Sequence, residues 1–499
     1  MLLGKVADFC PLPFPFQRGM VEASSGELVL FFAEQGRICC RVKRPGRESW
    51  SMPTAVAEGS RDFCVCSDGK DNIFLSYVRG NGLYFKKLSP WMGRWRAGKE
   101  TEVTIGCNGC SYASVALHGG ALWAAACVWR QIPTEIIDGA YMIQDQATPE
   151  TYEYTVTIKR SNDGGRTWQA SQTLTSEACT IPVLVPLGDR LACIYSQGLA
   201  LRWLSTSEAD SPVFWENRGE IVNDMTAIDL FSCCAANTRL HILFKKSGIR
   251  HIFFDGESWR EDPVPFGRET MDGDVVIGAS GGSLWAFWFK SFGPGRSAVA
   301  ARRWEGQGWG KTVNLCPAFD TCLAFDGSAY RNITVAVADR ESYPVPFEGD
   351  TGSALYFGSG RPFTGLALSL SGGEGSSYSF EFWNGEEWEE VIGLDDGTAG
   401  LTAPGIVGFG AMMNLEKAEV EGVERFWLRI RRTSPAGRNP VIEGAFPLGR
   451  LGSLMTADTV HGFVPAAWVD ATSPSSRDLL CGGIAAGPVY DSLQGASRA

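Results

Sequence analysis

The sequence predicts an all-β protein: a six-bladed β-propeller followed by a jelly-roll-like β-sandwich and a C-terminal arm. Three observations carry that expectation. A Trp closes a polar, often Gly-rich turn six times in the first two thirds of the 499 residues, at Trp50, Trp95, Trp168, Trp215, Trp259 and Trp309. These positions lie 45, 73, 47, 44 and 50 residues apart, and a period of about 40–50 residues in a strand-rich chain marks a propeller of four-stranded blades. Second, strand-length apolar runs alternate with Gly-Asp, Asp-Gly and Gly-Gly pairs inside each period, as consecutive hairpins require. Third, the period stops near Pro317, and alternating apolar and polar runs continue without it, the pattern of a two-sheet sandwich. A chain of this length exceeds what one core usually supports. The expected divisions are residues 1–318, 319–448 and 449–499.

Taken in order, each repeat divides into the same four strands. The first gives Arg18 to Ala23 as inner strand, Glu27 to Ala33, Arg37 to Lys43 and an outer strand near Pro53 to Ala57. The second gives Phe63 to Cys66, Asn72 to Val78 and Gly82 to Leu88 before Trp95; central pairs follow at 191–204, 240–254 and 284–304. Each second strand is dense in apolar residues, as expected of a sheet packed on both faces. The third repeat carries an insertion between its second and third strands, residues 131–151. Long loops on rigid scaffolds often carry function. This makes Trp129, Asp138, Tyr141 and Asp145 the candidate binding residues. Residues 449–499, rich in Gly, Ala and Ser, read as an extended arm with a loose end.

Composition narrows the partners. The net charge of −11 leaves no basic surplus for phosphates, so a nucleic-acid partner is not expected. No stretch approaches a membrane span, and the amino terminus lacks the long apolar core of a signal peptide. The 15 Cys show no disulfide framework, and several lie inside strands as small hydrophobes, which suggests synthesis in a reducing cytosol. Cys107-Asn108-Gly109-Cys110 is a lone CxxC in a chain with only four His; neither metal nor cofactor is expected from it.

Ser161-Asn162-Asp163-Gly164-Gly165-Arg166-Thr167-Trp168 has Ser161, Asp163, Gly165, Thr167 and Trp168 at the spacing SxDxGxTW. Here Asp163 can accept backbone N–H bonds, Gly165 supplies left-handed backbone, and Trp168 plugs a gap between strands. The stretch resembles the Asp-box, or BNR repeat, of sialidases and related propellers. That resemblance implies the fold, because Asp-boxes lie on the blade periphery. In sialidases an early Arg, two further Arg, a Tyr–Glu pair and an Asp act on the sugar. Arg18 stands where the first Arg would, with Gly19-Met20 in place of Ile-Pro, and Glu34 follows the second strand. If the chain is a sialidase-type glycoside hydrolase, Arg18 and Glu22 are its candidate catalytic residues; Asp62, Asp229, Asp272 and Asp274 are further carboxylates near inner strands. Glycoside hydrolysis needs at least a carboxylate pair across the bond. No complete set is evident, so the expectation is a protein without catalysis.

The second part contains Phe380-Glu381-Phe382-Trp383-Asn384-Gly385-Glu386-Glu387-Trp388, then Asp395-Asp396-Gly397-Thr398-Ala399-Gly400-Leu401-Thr402, and Phe426-Trp427-Leu428-Arg429-Ile430-Arg431. Asn384-Gly385 predicts a type I′ hairpin between Trp383 and Trp388. Trp388, Gly397 and Trp427 complete the motif. In order and spacing the run resembles a β-sandwich domain of bacteriophage tail proteins and of contractile injection system baseplates, with Met412-Met413-Asn414-Leu415 in place of the usual Pro-x-Asp-Trp. The resemblance implies a structural or adhesion component of a tail or phage-like particle, made in the bacterial cytoplasm. Its implied partners are other tail or baseplate subunits, present in many copies, and a host-surface glycan. An unrelated carbohydrate-binding sandwich and a free lectin are the alternatives.

Overall fold

The computed structural model describes residues 2–6, 12–47, 49–91, 94–104, 108–132, 151–175, 179–207, 214–226, 230–262, 266, 274–280, 283–291, 296–306, 308–315, 318–338, 344–409, 414–435, 437–449, 451–456, 463–470 and 477–485. The fold is all-β. Six antiparallel sheets follow one another as propeller blades. Blade 1 is Met20–Glu22, Leu28–Glu34, Arg37–Lys43 and Thr54–Glu58. Blade 2 is Phe63–Ser67, Ile73–Arg79 and Gly82–Trp91, with Arg94–Ala97 and Thr101–Glu102 both paired to Gly82–Trp91. Blade 3 is Gly109–His118, Ala121–Ile132, Thr151–Ser161 and Gln169–Thr175. Blade 4 is Cys179–Leu187, Arg190–Gln197, Ala200–Thr206 and Glu216–Val222. Blade 5 is Phe231–Ala236, Arg239–Lys245, Ile249–Phe254 and Trp259–Glu261. Blade 6 is Val275–Ser280, Ser283–Ser291, Ser297–Arg303 and Val313–Asn314.

Blade 4 shows why the second strands are apolar throughout. Leu191, Cys193 and Tyr195 join Trp123 and Val156 of blade 3 in one cluster, while Ala192 and Ile194 join Phe231 and Ile242 of blade 5 in another. Successive side chains on a strand point to opposite faces, so a sheet between two others buries both. The recurring Trp plugs the gap to the preceding blade. Trp95 packs among Ile38 and Val56 of blade 1, and Trp168 meets Phe85 of blade 2 edge-on at 5.2 Å. Trp215 meets Trp123 of blade 3 at 5.6 Å, Trp259 meets Trp203 of blade 4 at 5.4 Å, and Trp309 meets His251 of blade 5 at 5.0 Å. Truncating a buried one, Trp95 or Trp215, to Ala costs about 3–5 kcal/mol.

The sandwich follows. One sheet orders Tyr330–Asn332, Thr321–Phe325, Ala354–Ser359, Val423–Arg432, Tyr378–Trp383 and Trp388–Glu390, with Lys417–Val420 also on Val423–Arg432. The other orders Val345–Pro346, Val441–Leu448, Gly365–Ser371, Gly405–Gly408 and Asp395–Asp396. Leu355, Phe357, Phe380, Phe382, Leu428 and Ile430 of the first sheet share a buried cluster with Leu366, Leu368, Leu370, Val407 and Ile442 of the second. The sandwich is pinned to blade 6. Ser297 and Gly449 exchange backbone hydrogen bonds, and Ala298 packs with Ala367 and Leu448. Arg296 reaches the sandwich beside Gly365 and Gly408, where a Cβ at Gly408 would strike its guanidinium, and pairs with Asp395 at 2.7 Å.

The C-terminal arm is itself β. Leu451–Thr456, Phe463–Asp470 and Arg477–Ala485 pair in order, and Leu2–Val6 from the other end of the chain adds the fourth strand against Arg477–Ala485. Leu451–Thr456 lies against the inner strand of blade 6, so this two-ended sheet stands beside that blade as each blade stands beside the last.

Candidate functional site

In a propeller the natural chemical site is the hub, where inner strands from every blade converge. Here the end of the hub at which the inner strands begin is occupied by the chain's own residues 12–18. Leu12, Phe16 and Gln17 are buried. The Phe16 ring stacks on Phe231 of blade 5 at 5.5 Å, meets Tyr112 of blade 3 at 5.8 Å, and belongs to the cluster holding Ile181 of blade 4. Phe14 stacks on Phe16 at 5.4 Å beneath the Arg61 guanidinium, 4.0 Å away.

Gln17 and Asp62 bind this plug to the blades. The Gln17 side-chain amide donates to Asp62 Oδ1 at 2.7 Å and to the Ala113 carbonyl at 2.9 Å. Its Oε1 accepts the Phe14 N–H at 3.1 Å. Asp62 accepts the backbone N–H groups of Tyr112 at 2.6 Å and Ala113 at 2.8 Å. Burial pushes the Asp62 carboxyl up, opposed by these donors. The buried Asp62 carboxylate is therefore spent on joining blades 2 and 3 to the plug. None of these roles was legible in the sequence, where Asp62 was one carboxylate among several.

Arg18 closes the plug, its carbonyl accepting the Val65 N–H at 2.9 Å. Its charge acts on the buried Cys64 and Cys66 thiols, which burial pushes up. Glu22 is buried at the other end of the same inner strand, opposite Leu28. Arg18 precedes the strand Met20–Glu22, and Glu22 ends it. Asp229 and Asp272 lie outside the described residues, and Asp274 precedes blade 6.

In blade 3 the two strands flanking the insertion stay paired to their ends, Ile132 opposite Thr151. Trp129 is half-buried over Gly109, with Tyr154 at 6.5 Å. Asp138, Tyr141 and Asp145 lie outside the described residues, as does Cys107. The Asp-box turn is a closed polar cradle. Asp163 Oδ1 accepts from Ser161 Oγ at 2.8 Å and from the Arg166 and Thr167 N–H groups at 3.0 and 2.9 Å; Oδ2 accepts from Thr167 Oγ1 at 2.6 Å. The Thr167 hydroxyl and backbone donors hold the Asp163 carboxyl well below the usual range. Gly165 has φ +89°, and a Cβ there would lie 2.0 Å from Phe85. Only Gly fits both demands.

In the sandwich, Trp383 lies opposite Trp388 with ring centroids 5.8 Å apart. The type I′ turn is corrected. Gly385 has φ +105° but Asn384 is not left-handed; instead Asn384 Oδ1 accepts the Glu386 and Glu387 N–H groups at 2.9 and 2.8 Å, spreading the turn over four residues. Trp427 is fully buried, its Nε1–H donating to the Ala418 carbonyl at 3.0 Å. Glu381 binds Arg431 at 2.5 Å and also Arg429, whose guanidinium lies 4.2 Å over Trp388. Gly397 is pressed against Ile406 and Gly405, with no room for a Cβ. Met412 and Met413 lie outside the described residues.

A second buried polar group was not anticipated. His241 Nδ1 and His251 Nε2 are 3.1 Å apart with rings nearly parallel, and His251 Nδ1 is 4.0 Å from Asp262. Trp304 and Trp309 of blade 6 pack edge-on against His251. Burial, with the Arg239 charge, pushes His241 down to about 4; burial and His241 push His251 well down too. Among the described residues no group of three His, Cys, Asp or Glu is arranged to hold a metal ion.

No family model matches the sequence, and no curated protein matches it. Among solved structures, a mutant of Trypanosoma rangeli sialidase displaying trans-sialidase activity is similar over 89% of this chain and 94% of its own, with TM-score 0.39 and 11% identity. AofleA from Arthrobotrys oligospora is similar over 62% of this chain and 88% of its own, with TM-score 0.38 and 11% identity. Likeness at this level says nothing of chemistry.

Proposed function

We propose that the protein is a non-catalytic structural and adhesion component of a bacteriophage tail or phage-like particle, its propeller presenting a binding surface and its sandwich docking to the assembly. The observation that carries the non-catalytic part is the plugged hub. Phe14, Phe16 and Gln17 occupy the end where the inner strands begin, and Asp62 is committed to holding them. A hydrolase needs two carboxylates facing a cleft that admits its substrate. The sandwich motif around Trp383, Trp388 and Trp427, with its resemblance to tail and baseplate domains, supports the particle. Arg296 and the Ser297–Gly449 bonds support a sandwich that carries the ring rather than swinging free of it. Many copies on one particle would raise weak contacts through avidity.

Density-gradient fractionation of the producing culture, with mass spectrometry following this chain, tests the reading. The expected result is co-migration with intact particles at a fixed ratio to tail proteins. Recovery only in the soluble fraction would remove the particle and leave a free lectin.

A further inference from the structure

Between the outer strands of blade 2 and the Asp-box turn of blade 3 lies a cleft of about 980 Å³, lined by Phe85, Lys87, residues 89–91 and 96–102, and Gly164 to Arg166. This is within the size range of small-molecule sites, about 300–1,000 Å³. Its floor is Phe85, on which Gly165 closes. At its rim Trp91 is 53% exposed, with the Arg96 guanidinium 5.4 Å from its ring centre.

The charge around the cleft runs against that of the chain. Lys87, Arg96, Lys99 and Arg166 are exposed along it, and none forms an ion pair among the described residues. Of the two lining carboxylates, Glu100 is already engaged: it pairs with Arg79 at 2.7 Å and Lys86 at 3.6 Å and accepts from Tyr77. Glu102 is the other lining carboxylate; outside the lining, Asp68 faces Lys87 and Asp163 holds the turn that carries Arg166. A protein of net charge −11 thus gathers a local positive field beside one aromatic platform.

We infer that this cleft binds an acidic sugar, a pyranose ring bearing a carboxylate, as a unit of a surface polysaccharide. The C–H face of the ring lies on Trp91, and the carboxylate is met by Arg96 with Lys87, Lys99 or Arg166 beside it. Arg recognises a carboxylate through paired N–H donors, and an aromatic face suits the apolar face of a ring. A polyphosphate chain fits less well, since the chain as a whole carries a net charge of −11. The inference deepens the adhesion reading and rests on it, by naming the ligand class and the place of contact.

Calorimetric titration of the full chain with trigalacturonate, and with its methyl ester as the uncharged control, tests it. The acid is expected to bind, the ester at least about tenfold more weakly, a ratio that corresponds to one lost charge-assisted contact. W91A and R96Q, both exposed and so expected to melt like the parent, should each weaken the acid about tenfold or more. Equal binding of acid and ester, unchanged binding by both variants, tighter binding of oligothymidylate, or no heat at millimolar sugar would each overturn the inference. Co-migration with particles does not depend on Trp91. A negative titration with intact co-migration therefore sinks the cleft alone.

Discussion

Two joints of the ring solve the same packing problem with different chemistry. Blades 2 and 3 are joined at the hub by the Asp62 bracket and at the rim by Gly165 on Phe85. Blades 5 and 6 are joined by a stack of His241, His251, Phe253, Trp304 and Trp309. The first joint depends on hydrogen bonds of fixed direction, so it sets register and anchors the plug, and it fails by loss of one acceptor. The second depends on neutral rings, so it tolerates substitution of like shape and fails by gain of a proton. Each difference can be broken separately.

The largest effect is expected from Asp62→Ala. It leaves the Tyr112 and Ala113 N–H groups and the Gln17 amide without their acceptor in a buried place, at about 1–3 kcal/mol per orphaned group. A loss of several kcal/mol in urea unfolding checks it; a loss under 1 kcal/mol would mean that water replaces the carboxylate. Gly165→Ala comes next. The new Cβ meets Phe85 and the φ is unfavourable, so overpacking and backbone strain together should cost about 2–4 kcal/mol.

Acid should loosen the other joint. With a folded value of about 4 for His241 against 6.5 unfolded, the unfolded chain binds more protons in between. Stability is then complete above pH 6.5 and falls as pH drops towards 4, by up to about 3 kcal/mol from this group. Melting temperature measured between pH 7 and pH 4.5 reads this, and His251→Phe should flatten the slope while changing stability little at pH 7. An unchanged slope in that variant together with His241→Phe would assign the acid sensitivity elsewhere.

The smallest effect is expected in the blade 5 turn. Asp255 Oδ1 accepts the Glu257 and Ser258 N–H groups at 3.0 and 2.9 Å, a reduced version of the Asp163 cradle without its two hydroxyl donors. Asp255→Ala should lower the melting temperature slightly, and Asp163→Ala by more. Equal costs would show that the Ser161 and Thr167 hydroxyls add nothing.

What the sequence disclosed follows from the range of its signals. Strand, turn and Trp positions are local, and the strand Arg37–Lys43 fell where the alternation put it. The insertion lies between the second and third strands of blade 3 as read. The plug was not legible, because Gln17 meets partners 45 and 96 residues away and no local pattern marks Phe14 or Phe16 as hub residues. The last sheet was hidden for the same reason: Leu2–Val6 pairs with Arg477–Ala485, and a Gly- and Ala-rich segment gives little strand signal by itself. Asn384-Gly385 misled because the Asn side chain, rather than its backbone, shapes the turn. The His pair had a legible trace, two His ten residues apart across one hairpin, which a diagonal cross-strand reading would have brought together.

In the proposed reading the hub, occupied at one end by residues 12–18, performs no chemistry. Product release from a fluorogenic sialoside, followed at high protein concentration beside Arg18→Ala, tests it most directly. No turnover above background is expected from either protein. Turnover by the parent chain that Arg18→Ala abolishes, with its melting curve unchanged, would contradict it and make the hub an active site.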